Sequence, residues 1–293
     1  MPALKDIKLK ITGIKKTQQI TKAMNMVAAA KLRGAQEKME DFRPYADKFA
    51  SVIGDLGGSV NPDAFPLMAV RPVKKTLVIV VTADRGLCGA FNANIVNAAL
   101  KYAKSKTEEG KEVSFACIGK KGYHDIRRSE YEIVDHVIDC MALIQMQDAR
   151  RIGQVAINQF IEEKVDQVQL LYGRFINVVT QKPTFKKILP ISKEGLGGEE
   201  AEEKGPKATY IYEPEPEQIL NQLMPMYVNV QIMAAMLETA ASEQAARMTA
   251  MDNATRACDD MIHTLTLSYN KARQAAITKE LMDIVGGAEA LKG

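Results

Sequence analysis

Side chains able to do chemistry are few and scattered in this chain. The histidines His124, His136 and His263 each stand alone in helical or extended segments. A lone histidine is more often a core or surface residue than an acid, base or metal ligand. Cys88, Cys117, Cys140 and Cys258 form no CxxC pair and have no histidine at ligand spacing. That argues against a zinc site or a disulfide framework and fits a reducing compartment. No GxSxG, no HExxH and no paired-carboxylate motif in a recognisable setting occurs. One turn, Asp84-Arg85-Gly86-Leu87-Cys88-Gly89, follows a strand pattern and opens a helix pattern, the right place for a phosphate loop. It lacks the first glycine of GxGxxG, and no GxxxxGK[ST] occurs anywhere. Gly119-Lys120-Lys121-Gly122 is too short to cradle phosphates alone. The expectation is a chain with no catalytic residue, no cofactor and no metal.

The elements that carry these residues say more. Leu4, Ile7, Ile11, Ile14, Gln18, Thr21, Asn25, Ala28, Leu32, Ala35, Met39 and Phe42 alternate spacings of three and four without a slip. A straight helix repeats at 3.6, so a stripe held at 3.5 requires supercoiling about a partner. Gln18, Thr21 and Asn25 are polar seam positions, the kind that specify register at some cost in stability. Ile20, Ala23, Met24, Val27 and Ala30 form a second apolar stripe beside the seam, so this helix is buried on both stripes or meets two partners. Pro44 is expected to kink or restart the helix, and Gly57-Gly58 to end it. From Ala3 to there it would be roughly 80 Å long.

The other end of the chain repeats this design. Pro225 suits only a helix start, and Met226 to Val285 holds neither proline nor glycine, roughly 90 Å of helix. Leu237, Ala241, Ala245, Met248 and Met251, then Cys258, Ile262, Leu265, Tyr269, Ala272 and Ala276, give another stripe near period 3.5, and Gly286-Gly287 should stop it. Two helices this long bury both stripes by winding on each other, antiparallel because the chain leaves along one and returns along the other. Between them, short β-branched runs alternate with helical ones: strands at 76–82, 113–118, 132–136, 168–176 and 179–191, helices at 92–106, after 122, and at 148–164. That alternation implies a parallel, Rossmann-like sheet. The Gly- and Glu-rich 192–206 reads as a mobile surface loop. The fold class is therefore α+β: a long antiparallel coiled coil of the terminal helices (1–58 and 213–293) with a central α/β domain (75–212).

Composition restricts the partners. Hydrophobic residues at 46% and charged residues at 26% are ordinary for a globular chain. Fifteen Met and no Trp favour adaptable contact surfaces, although a Met-rich helical core would give the same counts. Net charge is only +3, yet Lys5, Lys8, Lys10, Lys15, Lys16, Lys22, Lys31 and Arg33 face the single acid Asp6 in the first 34 residues. Such a helix suits phosphate, an anionic membrane or an acidic protein surface, or is simply a solvated lysine face. The apolar run Leu77–Val81 is far too short to span a bilayer. The start of the chain shows no signal or transit pattern, which points to the cytosol.

Three stretches are specific enough to name a family: residues 10–32 (KITGIKKTQQITKAMNMVAAAKL), 82–95 (TADRGLCGAFNANI) and 269–291 (YNKARQAAITKELMDIVGGAEAL). With Ser242–Thr255 they resemble the γ subunits of F-type ATP synthases. The most diagnostic pattern is Thr278-x-Glu280-x-x-Asp283-x-x-x-Gly287-Ala288. The resemblance runs end to end and shares the helix–α/β–helix order. It implies a central rotor shaft inside a ring of three α and three β subunits, above a membrane c-ring and beside ε, with the ATP sites on the other subunits. By resemblance, Lys22, Met24, Lys31 and Arg33 would face an acidic segment of β. Arg247, Arg273, Gln274, Thr278 and Glu280 would lie in the upper shaft against a β loop, and Tyr210, Tyr212 and Glu213 at the ε and c-ring end. Each could instead be an ordinary solvated or strand-edge residue. The two-cysteine insertion of chloroplast relatives is missing, which implies a bacterial complex on the cytoplasmic face of the inner membrane.

Two rivals belong to other classes. A coiled-coil nucleic-acid binder would use the basic helix, but these residues are mostly Lys beside an apolar stripe, which suits a protein groove better. An NAD-dependent enzyme would need the phosphate loop that is lacking.

Overall fold

The computed structural model describes residues 4–57, 65–191 and 216–290. Helix α1 is Leu4–Gly57. Then come a 3₁₀ turn at Pro66–Met68, β1 (Lys75–Val81), α2 (Phe91–Glu108), β2 (Glu112–Ile118), α3 (Lys120–Ile126), β3 (Ile133–Val137), α4 (Met146–Ile161), β4 (Gln167–Phe175), β5 (Gln181–Leu189) and α5 (Pro216–Ala290). The chain forms two compact units, residues 1–28 with 248–293, and 29–247.

In the larger unit the sheet order is β3-β2-β1-β4-β5. β1 pairs in parallel with β2 and β4, and β2 with β3. The fifth strand departs from the all-parallel expectation: β5 runs antiparallel to β4. Only Ile176 to Thr180 separates these strands, and so short a link can make a hairpin but not a crossover. β1 is buried along its length after Lys75, as a central strand covered on both faces must be. Its alternate residues feed two cores. Leu77, Ile79 and Val81 pack with Ile152 and Phe160 of α4, Val228, Ile232 and Met236 of α5, and Ile53 and Leu56 of α1. Val78 and Val80 pack on the other face with Phe91, Ile95 and Ala99 of α2 and Ile126 of α3. Gly153 marks where α4 and α5 approach: a Cβ there would run into the Asn229 side chain.

In the smaller unit the two long helices meet along the expected seam. Its residues from Leu4 to Ala28 are buried or half-buried, and from Lys5 to Val27 all others except Met24 are exposed; in the larger unit the seam positions Leu32, Ala35, Met39 and Phe42 are buried or half-buried as well. On α5 the stripe is likewise buried or half-buried, at Leu237, Ala241 and Ala245 in the larger unit and from Met248 to Ala276 in the smaller.

Three expected breaks do not occur. α1 continues through Pro44, where Arg43, Pro44 and Tyr45 are exposed, so the one lost backbone bond faces water. α5 begins at Pro216 and holds Pro225 inside it, and it runs past Gly286 and Gly287. Glycine ends a helix where the chain must turn back in a left-handed conformation. Without that turn it costs only about 1 kcal/mol per residue, and the helix goes on. Gly58 and the 192–206 loop lie outside the described residues.

Candidate interaction surfaces

The polar seam residues find partners across the helix pair. Asn25 Nδ2 donates to the Met248 carbonyl at 2.8 Å. The hydroxyls of Thr21 and Thr255 lie 2.8 Å apart, one donating to the other, while the hydroxyl that accepts is free to donate back into its own helix, where Gln18 O and Met251 O lie within reach of Thr21 and Thr255 respectively. Gln18 Nε2 donates to the Asp259 carboxylate. As α1 residues ascend from 18 to 25 their partners descend from 259 to 248, so the pair is antiparallel. A one-turn slip would strand Thr21, buried in the seam, without its partner. Thr21→Val alone is therefore expected to cost about 1 kcal/mol in urea denaturation, and adding Thr255→Val to cost little more, because the bond between them is already lost and the remaining Thr255 hydroxyl bonds only Met251 of its own helix.

What the seam leaves outside is apolar and basic. Ile20, Met26 and Val27 are large exposed apolar residues on α1; Ala23 and Ala30 are exposed and Met24 half-buried. Lys22, Lys31 and Arg33 are exposed on the same helix. Arg33 pairs with Glu37 one turn on, at 3.3 Å, both well solvated, a pair of little energetic weight.

The end of α5 carries a second bare surface. Arg273, Gln274, Thr278 and Glu280 are all exposed, and Thr278 Oγ1 donates to Gln274 O within the helix. Ala276 is half-buried, and from Ile277 to Ala288 every side chain is exposed. Ile277, Leu281, Met282, Ile284 and Val285 stand among them. Large apolar side chains left in water close together on one helix end are a common feature of interaction surfaces.

Arg247 is placed differently from the other upper-shaft candidates. Its guanidinium donates to the Gly86 carbonyl at 3.0 Å and pairs with Glu243 one turn earlier. The two side chains are only 11% and 6% exposed. Burial raises the Glu243 carboxyl above its ordinary range, and the Arg247 charge partly offsets this. Sequence reasoning missed Glu243, Ser242 and Thr239, which are chiefly or wholly buried. Ser242 Oγ donates to the Gly173 carbonyl, and the Gly173 amide donates to Thr239 Oγ1. Open α/β sheets take ligands beyond the carboxyl ends of their strands, where the strand order reverses. Here that place, between the ends of β1 and β4, is filled by α5 of the same chain.

The glycine-bearing turns serve the same packing. The Asp84 carboxylate accepts the backbone amides of Lys120, Asp139 and Met141 at 2.8, 2.9 and 2.8 Å. Asn92 Oδ1 accepts the amide of Ala83. Gly119 has φ +94°, and a Cβ there would strike the Thr82 backbone, so its glycine is explained by the turn rather than by phosphate. His136 stacks on Tyr123 with ring centroids 4.0 Å apart. Among the described residues no group of three or more His, Cys, Asp or Glu side chains could hold a metal ion. No described helix is long and apolar enough to cross a membrane. Tyr210, Tyr212 and Glu213 lie outside the described residues.

A family model described as ATP synthase matches residues 3–291. Over their full lengths, 53% of positions are identical to the ATP synthase gamma chain of Nitratidesulfovibrio vulgaris (strain Hildenborough) and 54% to that of Maridesulfovibrio salexigens. The chain belongs to the ATP synthase gamma-chain family. A chain of the Euglena gracilis mitochondrial ATP synthase (OSCP/F1/c-ring, rotational state 3) has the same fold, with TM-score 0.69 at 20% identity, covering 98% of this chain and 94% of that one. A chain from the central stalk and c-ring of the Tetrahymena thermophila enzyme gives TM-score 0.61 at 26% identity, covering 80% and 99%. In this gamma-chain fold the strands of the mixed sheet come, in chain order, between two long terminal helices, and the stretches that carried the sequence resemblance fall on α1, on the turn after β1 and on α5.

Proposed function

We propose that the chain is the central rotor shaft of a proton-translocating ATP synthase and catalyses no reaction itself. The reading rests on one observation: in a chain matched end to end by gamma chains, α5 outlasts its buried seam and presents Ile277, Leu281, Met282, Ile284 and Val285 uncovered. A ring of α and β subunits would enclose that end. Rotation of the c-ring would turn the shaft, and its uneven faces would press each β subunit in sequence. A shaft must not bind one orientation deeply, since a preference of a few kcal/mol would hold most of the population there. Lys22, Met24, Lys31 and Arg33 would meet an acidic segment of β. Arg273, Gln274, Thr278 and Glu280 would meet a β loop, and Arg247 would act by fixing the Gly86 turn. Tyr210, Tyr212 and Glu213 would lie toward ε and the c-ring. The chain would reach the membrane only through these partners, on the cytoplasmic side of a bacterial inner membrane.

All four cysteines are buried, so Lys101→Cys, at an exposed position on α2, offers a selective attachment point for a bead. With immobilised α and β subunits of the same complex, ATP is expected to drive stepwise, one-directional rotation of the bead, while the chain alone hydrolyses no ATP. Hydrolysis by the isolated chain, or an ATP-driven complex whose bead stays fixed, would refute the reading.

A further inference from the structure

The tip of the β4–β5 hairpin, Ile176 to Thr180, carries two bare apolar side chains that the rotor reading does not use. Ile176 is 52% and Val179 78% exposed, and both are β-branched and stiff at χ1. The backbone that presents them is fixed from within. Asn177 Oδ1 accepts the amides of Val179 and Thr180 at 2.9 and 2.7 Å. The Thr180 carbonyl accepts those of Ile176 and Asn177 at 3.3 and 3.2 Å. Gln181 Nε2 donates to the carbonyls of Asn177 and Val178 at 3.2 and 2.9 Å. An Asn side chain that bonds the amides following it sets a turn locally. The tip is thus shaped before any partner arrives, which lowers the entropic cost of contact.

The tip is also tied to α5. The Phe175 amide donates to Glu238 Oε1 at 3.1 Å, and Gly173 is held by Thr239 and Ser242. When α5 turns, the tip turns with it. Its charge has one sign. From 167 to 193 the chain contains no Asp or Glu. Lys182, two residues beyond the tip, is exposed and makes no ion pair among the described residues. An apolar knob with a free cation beside it fits an apolar socket bordered by a carboxylate.

Size decides between kinds of partner. Two side chains bury far less than the roughly 1,000 Å² of a specific, lasting interface, so they add little to a partner that turns with the shaft. A contact that the shaft makes and leaves at each step must be small, because deep binding at one angle would hold the population there. Resting on the rotor reading, we propose that this tip is a travelling contact with the α and β subunits. As the shaft turns, Ile176 and Val179 enter equivalent apolar sockets on the ring in succession, each with a carboxylate placed against Lys182.

The test uses the complete purified complex with Val179 replaced by the photo-reactive p-benzoylphenylalanine and a bead on Lys101→Cys. Illumination is expected to join this chain to an α or β subunit and to stop the ATP-driven rotation seen before it. Adding Lys182→Glu, which sets like charge against the socket, should cut the cross-link yield about tenfold at low salt and by much less at high salt, where the charge is screened. Both positions are exposed, so the melting temperature of the free chain should not move. A cross-link to ε or the c-ring alone, no cross-link in a complex that still rotates, or a yield indifferent to Lys182→Glu would overturn the inference and leave the rotor reading intact. A bead that never rotates before illumination would overturn the rotor reading and this contact with it.

Discussion

Arg247→Ala is expected to destabilise the larger unit by about 3–5 kcal/mol at pH 8, the cost of leaving a buried charge without its partner. The substitution takes away the guanidinium that holds the Gly86 carbonyl and neutralises Glu243. Asp84 then still repels the Glu243 charge and Lys31 attracts it, the weaker of the two effects. The pH dependence follows from the direction of the shift. The folded-state carboxyl already titrates above its ordinary 4.5, chiefly through burial. Its contribution to stability is therefore full below that ordinary value and is lost as pH rises through the folded value. Arg247 lowers that folded value, so removing it raises the value further and enlarges the loss at high pH. The difference between wild type and variant in urea denaturation should accordingly shrink from pH 8 to pH 5. Adding Glu243→Gln to Arg247→Ala should recover much of the stability, since no buried charge is then left unpaired. A pH-independent penalty that Glu243→Gln does not relieve would mean that the arginine acts by packing alone.

The consequence for the shaft is specific. Ser242, Glu243 and Arg247 lie on successive turns of α5, and they fasten it to Gly173 at the end of β4 and to Gly86 after β1. Torque passing between the helix and the sheet would cross these bonds.

How much of this was legible in the sequence varied with the range of the interaction. The seam from Leu4 to Phe42 could be read because supercoil periodicity is a local property of one strand of sequence, and every one of those residues is buried or half-buried. β1 could be read from its β-branched run, and it begins one residue earlier than the pattern suggested. The direction of β5 depends on how it pairs with β4, and that pairing leaves no mark on the β5 sequence itself. The glycines at 286 and 287 have the composition of a stop, yet stopping requires a turn that the fold does not make there. Arg247 looked like one more polar residue on a helix, the same as Arg273. Only the packing of α5 against the Gly86 turn makes it a buried ion-pair member while Arg273 stays in water. The missed residues Thr239, Ser242 and Glu243 gave only a faint signal, polar or charged groups among several in an Ala- and Met-rich stretch of helix. A polar group on such a face needs a partner, and the partner is nonlocal.

The bare end of α5 gives the second large effect. Leu281 and Ile284 are 58% and 71% exposed, so replacing both with Gln should change the stability of the free chain by no more than about 0.5 kcal/mol, and Gln keeps the helix favourable. Inside an enclosing ring the same side chains would be buried, each contributing roughly 1.5–3 kcal/mol by removal from water. The double variant should then associate with the α and β subunits at least about 100-fold more weakly, measured as the concentration at which the purified complex dissociates. Since the free chain is unaffected, a loss of this size can come only from the assembled state. The lysines of α1 offer an internal contrast: exposed charges act through salt-dependent attraction, whereas loss of these apolar contacts should be insensitive to salt. Unaltered assembly of the double variant would mean that this end of α5 remains in water in the complex, and a shaft whose tip touches nothing cannot be centred by the ring.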